Sequence, residues 1–100
     1  MLEIIRGTTP TFMYTPQKAR IEDIAVAYIT IISGEVRIEK ELTEATAGET
    51  YLTWTLSQAE SLSLADNATA MVNVRTVDGT RFATKQKKYV IIPNDKEEII

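Results

Sequence analysis

One hundred residues without a cysteine or a histidine, carrying eleven Lys and Arg against fourteen Asp and Glu, give a chain of net charge −3. The length suits one domain with one core. The missing cysteines exclude disulfides and thiolate metal sites and leave the redox compartment open, the missing histidine removes the commonest general base and transition-metal ligand, and the interspersed negative balance opposes a long-range attraction to nucleic acid.

The start, MLEIIRGTTP, has an acid at Glu3 and only a short apolar run, unlike a secretory leader, and no apolar stretch reaches the length of a membrane span. The expectation is a soluble protein made in the cytoplasm, with no membrane partner. Gly7-Thr8-Thr9-Pro10 separates a short strand over Leu2–Arg6 from another over Phe12–Tyr14, which Pro16-Gln17-Lys18 closes. Ile21–Ile24 is ambiguous. From Ala25 to Ile32 both phases are apolar, with Val26, Tyr28 and Ile32 on one and Ala27, Ile29 and Ile31 on the other. That predicts a central strand covered on both sides, or covered outside by a partner. Ser33-Gly34 turns into Glu35–Leu42, where Val36, Ile38 and Leu42 alternate with charged residues on a wet face.

A loop over Thr43–Thr50 leads into YLTWTLSQAESLSL, residues 51–64. Leu52, Trp54 and Leu56 share the buried phase of a strand, with Trp54 expected at the centre of the core. Ser57-Gln58-Ala59-Glu60 is then a capping box, so a short helix is predicted at about 57–64. Turn residues at Ala65-Asp66-Asn67 stop it, and Ala70, Val72 and Val74 resume a strand by Thr69. Asp78-Gly79 is a two-residue hairpin signal. Arg81–Thr84 and Tyr89–Ile92 form the returning strand, interrupted near Gln86. Many short strands with one helical crossing predict an all-β, two-sheet, immunoglobulin-like sandwich over residues 1–100, in which the helix carries the chain between sheets and Leu62 or Leu64 plugs the core.

Residues that invite chemistry have plainer roles. Glu35, Glu39 and Glu41 alternate with apolar neighbours as a solvated strand face would, with Glu44 nearby. Asp66-Asn67, Asp78-Gly79 and Asn94-Asp95 are turn residues without the spacing of a calcium loop. Ser57 and Thr8-Thr9 have no histidine to activate them. The expectation is no enzyme, no catalytic or metal site and no cofactor. Lys85, Lys87 and Lys88 followed by Tyr89 are a basic run beside an aromatic, the chemistry of a single-strand binder, but lysine also guards exposed strand edges.

Taken in order, IIRGTTPTF, LTWTLSQAESLSL and VNVRTVDGTRFAT resemble a group of small proteins encoded among the structural and tail genes of phages and prophages of Gram-positive bacteria. The resemblance covers nearly the whole chain. The group is similar in layout to small immunoglobulin-like modules of baseplates and tails, so the resemblance implies a virion structural role through protein–protein assembly, with incorporation into a particle. Asn73 stands where the V-x-Q-x-R strand of the group has Gln, and the basic run at 85–88 departs from it. The alternative reading is an adaptor that binds nucleic acid or a host protein through Lys85–Tyr89.

Apolar termini point to partners. Ile4 and Ile5 at one end and Ile99 and Ile100 at the other exceed what a solitary sandwich needs, so a homo-oligomer is expected, along with contacts to other phage structural proteins. Leu2, Ile4, Ile5 and Arg6 are the expected assembly contact, with pairing inside the chain as the open alternative, because periodicity does not distinguish the two. Glu97–Ile100 is a second candidate anchor on a partner.

Overall fold

Strand alternation in this sequence is phased so that two sheets bury their apolar sides against each other. The computed structural model describes residues 2–16, 20–41 and 51–100; the predicted loop over 43–50 and most of the turn after Pro16 lie outside them. The strands are β1 (Leu2–Ile5), β2 (Thr11–Tyr14), β3 (Ile24–Ser33), β4 (Val36–Glu41), β5 (Leu52–Thr55), β6 (Asn67–Thr76), β7 (Arg81–Ala83) and β8 (Lys87–Ile92), and α1 (Gln58–Leu62) lies between β5 and β6. The larger sheet has the order β1-β8-β6-β3-β4, with β7 paired to β6 on the edge it shares with β8. The smaller sheet is the antiparallel pair β2 and β5. β1 runs parallel to β8, and the other pairs of the larger sheet are antiparallel.

One core joins the layers. Phe12, Leu52, Trp54 and Leu56 from the small-sheet side meet Ile4, Ala27, Ile29, Ile31, Val72, Val74 and Ile91 of the large sheet. Trp54 is 9% exposed and stacks on its cross-strand partner Phe12, with ring centroids 4.9 Å apart and planes 8° apart. Phe12 in turn meets Tyr89 edge to face at 5.5 Å. Trp54 therefore ties both layers, as its inward phase predicts.

The crossing from β5 to β6 is the predicted helix. Ser57 Oγ accepts the Glu60 N–H at 3.1 Å while the Ser57 N–H donates to Glu60 Oε1 at 2.8 Å. Leu64 is the core plug; Leu62 is half-buried and packs by the Gly7 turn. Lys40 Nζ reaches from β4 to Glu60 Oε1 at 2.7 Å and to the Thr55 carbonyl at 3.2 Å.

Several expectations are corrected. Ile21–Asp23 forms a 3-10 turn, and the strand begins at Ile24. β6 starts at Asn67, inside the predicted turn, because its neighbours hold that backbone extended: Ser33 Oγ donates to the Asn67 carbonyl and accepts the Ala65 N–H, both at 2.7 Å, and the Ile91 N–H donates to the Asp66 carbonyl. The Asp78-Gly79 hairpin has three loop residues, Val77–Gly79, closed by the Thr76 N–H on the Thr80 carbonyl; Asp78 Oδ1 accepts from the Thr76 hydroxyl and the Thr80 N–H, and Gly79 takes the required φ of +91°. β3 is central, and among the described residues only one of its faces is covered, which leaves the alternative of a covering partner. Ala27, Ile29 and Ile31 enter the core, whereas Tyr28 and Ile32 face away from it, 40% and 41% exposed.

Truncation of Trp54 to alanine is expected to cost about 3–5 kcal/mol, read as a lower denaturation midpoint, and an unchanged midpoint would place the ring outside the core. Ser57→Ala is expected to cost about 0.5–2 kcal/mol through loss of the cap. Burial raises the Glu60 carboxyl, but hydrogen bonds from Lys40 and the Ser57 N–H, with the Lys40 charge, outweigh it and hold the group below its ordinary value. A carboxyl lowered on folding stabilises fully above its unfolded value and loses that contribution as pH falls through the folded one. The stability gap between native protein and Glu60→Gln is therefore expected to narrow from about pH 7 to about pH 3. A gap independent of pH in denaturant titrations would show that ionised Glu60 contributes nothing.

Candidate functional site

The returning strand β7–β8 is broken by one extra residue. Asn73 faces Ala83, but Ala70 faces Lys87, so the register slips between the two pairings. Thr84 sits at the slip, donating its N–H to the Val72 carbonyl at 2.9 Å and accepting the Val72 N–H on Oγ1 at 3.0 Å. The hydroxyl replaces a ladder carbonyl. This bulge reverses the alternation, so Phe82 on one side of it and Lys87, Tyr89 and Ile91 on the other all take the inward phase.

An open groove of about 630 Å³ follows, walled by Met13, Tyr14 and Thr15 on one side and by Phe82, Ala83, Thr84, Lys85 and Lys87 on the other. It adjoins a deeper recess of about 270 Å³ reaching Phe12, Trp54 and Tyr89. The recess also shares Met13, Tyr14, Thr84 and Lys87 with the groove. Among the described residues, β2 pairs only with β5, and β7 and the first two residues of β8 pair only with β6. The groove thus runs where both sheets present an unpaired strand edge.

The predicted basic site is split by the structure. Lys85, Lys87 and Tyr89 border the groove or its recess, while Lys88, one residue out of phase, lies on the opposite face of the sheet beside Thr69. Burial raises the phenols of Tyr14 and Tyr89 above their ordinary value. Tyr89 is packed edge-on against Phe12, so its ring is part of the wall instead of a free stacking platform. Trp54 lines the recess, and its Nε1 is buried without an acceptor among the described residues. The opposite wall, Met13–Thr15 and Phe82, was not legible as part of a site: no local pattern tells which strand edges lie face to face.

The N-terminal candidates are drawn into the chain's own fold. β1 pairs with β8 from Leu2 opposite Tyr89 to Ile5 opposite Ile92, and Ile4 is buried in the core. Arg6 faces inward: Nε donates to the Leu64 carbonyl at 3.0 Å, and the guanidinium meets Glu97 at 3.3 Å and Asp66 at 3.6 Å. Ile5 remains 49% exposed on the outer face, and Leu2 is exposed as well. The other candidate groups take structural positions. Glu39 accepts from Thr30 and meets Arg37 on the wet face of β4; Glu44 lies outside the described residues. Among the described residues there is no group of three or more metal-ligating side chains, and no helix is long and apolar enough to cross a membrane.

No protein-family model matches the chain, and no curated protein matches it significantly. The arrangement offers strand edges for backbone pairing, an apolar and aromatic floor, and two ammonium groups at the rim. That set suits an extended peptide segment. Single-stranded oligothymidine is expected to show no measurable binding at physiological salt, because Tyr89 is packed and the chain is net negative. Micromolar binding in a fluorescence-polarisation titration, abolished by Lys87→Glu, would reassign the groove to nucleic acid.

Proposed function

We propose that this chain is a structural module of a phage or prophage particle, tail- or baseplate-associated, that works by protein–protein assembly and catalyses no reaction. The observation that carries the assembly reading is the groove, where, among the described residues, one side of a two-sheet fold leaves an edge of each sheet unpaired above an apolar floor. Unpaired edges are templates for another chain's strand, and monomeric β-proteins usually cover or charge them. The two layers, joined by a helical crossing, are compatible with an immunoglobulin-like sandwich, and the resemblance of IIRGTTPTF, LTWTLSQAESLSL and VNVRTVDGTRFAT to phage tail and structural proteins supplies the biological setting.

Two measurements test this reading. Light scattering across protein concentration is expected to show the mass rising above that of one chain, or stable complexes with products of neighbouring genes. A chain that stays monomeric and binds none of them would end the assembly reading. The gene is expected to lie among tail, baseplate or capsid genes. A neighbourhood of metabolic genes would remove the phage setting.

A further inference from the structure

The segment Pro93–Ile100 pairs acidic with apolar chemistry: Glu97 and Glu98 are followed by Ile99 and Ile100, which are 65% and 85% exposed. Asn94 anchors its start to the Arg6 carbonyl at 3.0 Å, and Glu97–Ile100 beyond it are held through polar contacts. Glu97 Oε2 accepts from Arg6 and from the Asn94 N–H, Glu98 meets Lys96 at 3.3 Å, and the backbone of Ile100 exchanges hydrogen bonds with the Gln58 amide side chain at 2.8 and 2.9 Å. The Glu98 and Ile100 contacts lie at the exposed surface, where ion pairs and hydrogen bonds contribute little net free energy. None of these partners lines the groove between β2 and β7–β8.

The groove is the chemical complement of that segment. Its rim carries Lys85 and Lys87, and its walls present Met13, Tyr14 and Phe82. The neighbouring recess holds a buried indole donor, Trp54 Nε1, with no acceptor among the described residues. We propose that this groove receives Glu97–Ile100 of a second copy of the chain as an added strand along β2. Side chains of a strand alternate, so Glu97 and Ile99 share the face turned into the groove, the carboxylate toward Lys85 and Lys87 and the isoleucine over the apolar wall, with Glu98 and Ile100 on the other face. Donor segment and acceptor groove are different surfaces of one chain, so the contact is head to tail and propagates into a ring or an open array. This rests on the assembly reading and names its contact.

Two full-length variants separate the surfaces. Lys85→Glu/Lys87→Glu disables the groove, and Ile99→Asp/Ile100→Asp disables the segment; all four positions are exposed, and far-ultraviolet spectra check that both variants fold. Each alone is expected to stay monomeric in sedimentation velocity where the native chain assembles. Mixed, they are expected to form a closed pair, one intact groove with one intact segment. Variants that assemble like the native chain would overturn the inference while leaving assembly by another surface in place. If the native chain is monomeric at every concentration and binds no product of the neighbouring genes, the assembly reading fails, and a synthetic peptide of residues 93–100 decides the inference alone. Titrated into the native chain, that peptide is expected to shift the emission of Trp54, the only tryptophan, and to lose that effect against Lys85→Glu/Lys87→Glu. An unchanged emission with no binding by calorimetry, or binding of oligothymidine in its place, would overturn it.

Discussion

Much of this fold depends on moving the chain from the small sheet to the large one in the eleven residues from Leu56 to Asp66. A five-residue helix has no stability of its own, since nucleation costs more than so few hydrogen bonds return. It persists here because its ends and its inner face are occupied. The capping box satisfies donors at the start, Lys40 of β4 binds Glu60, and Leu64 enters the core as the helix ends. Ser61, fully buried, accepts the Gly7 N–H at 3.0 Å, and Gly7 holds a φ of +86° that only glycine adopts easily; a Cβ there would stand 3.1 Å from Leu62. Arg6 then fastens the exit of the crossing through the Leu64 carbonyl and Asp66.

This places the exit of β1 and the segment after β8 on one side of the molecule. β1 runs up to Gly7 against α1, and the segment after β8 returns to Arg6 and Gln58, with the Asn94 side chain donating to the Arg6 carbonyl. That side is dense with hydrogen bonds. The groove side is held differently, by aromatic stacking in the floor and a single bulge in the wall, and its strand edges are left without partners among the described residues. The asymmetry follows from topology: a small sheet of two strands is too narrow to cover a large one of six, so among the described residues one margin is closed by the crossing and the other stays open.

The bulge at Thr84 is the second constraint that matters. With continuous alternation through β7 and β8, Phe82 in the core phase would put Gln86, Lys88 and Val90 inward and turn Tyr89 and Ile91 outward. One extra residue corrects the phase. It buries Ile91 and brings Tyr89 against Phe12, and it also swings Lys87 over the groove while sending Lys88 to the far face. The basic run thus owes its division to a requirement of the core.

Local chemistry was enough for much of the architecture. The capping box, the inward phase of Leu52, Trp54 and Leu56, the alternation of β4 and β6, and the break near Gln86 could all be read from the residues, because each is set by neighbours a few positions apart. Ser33 and Asn67 show where that ends: a turn-forming residue became the start of a strand because a hydroxyl thirty-four positions away holds its carbonyl. The same limit applied to β1, whose pairing within the chain depends on the position of β8, and to β3, whose second apolar phase proved to face outward. The amino-acid sequence by itself determined an all-β chain with one helical crossing and a basic run beside Tyr89. Only the tertiary structure decided that two of the three lysines share a groove with Met13, Tyr14 and Phe82, because a groove is a relation between distant strand edges, and edge pairing depends on which strands meet across the whole chain.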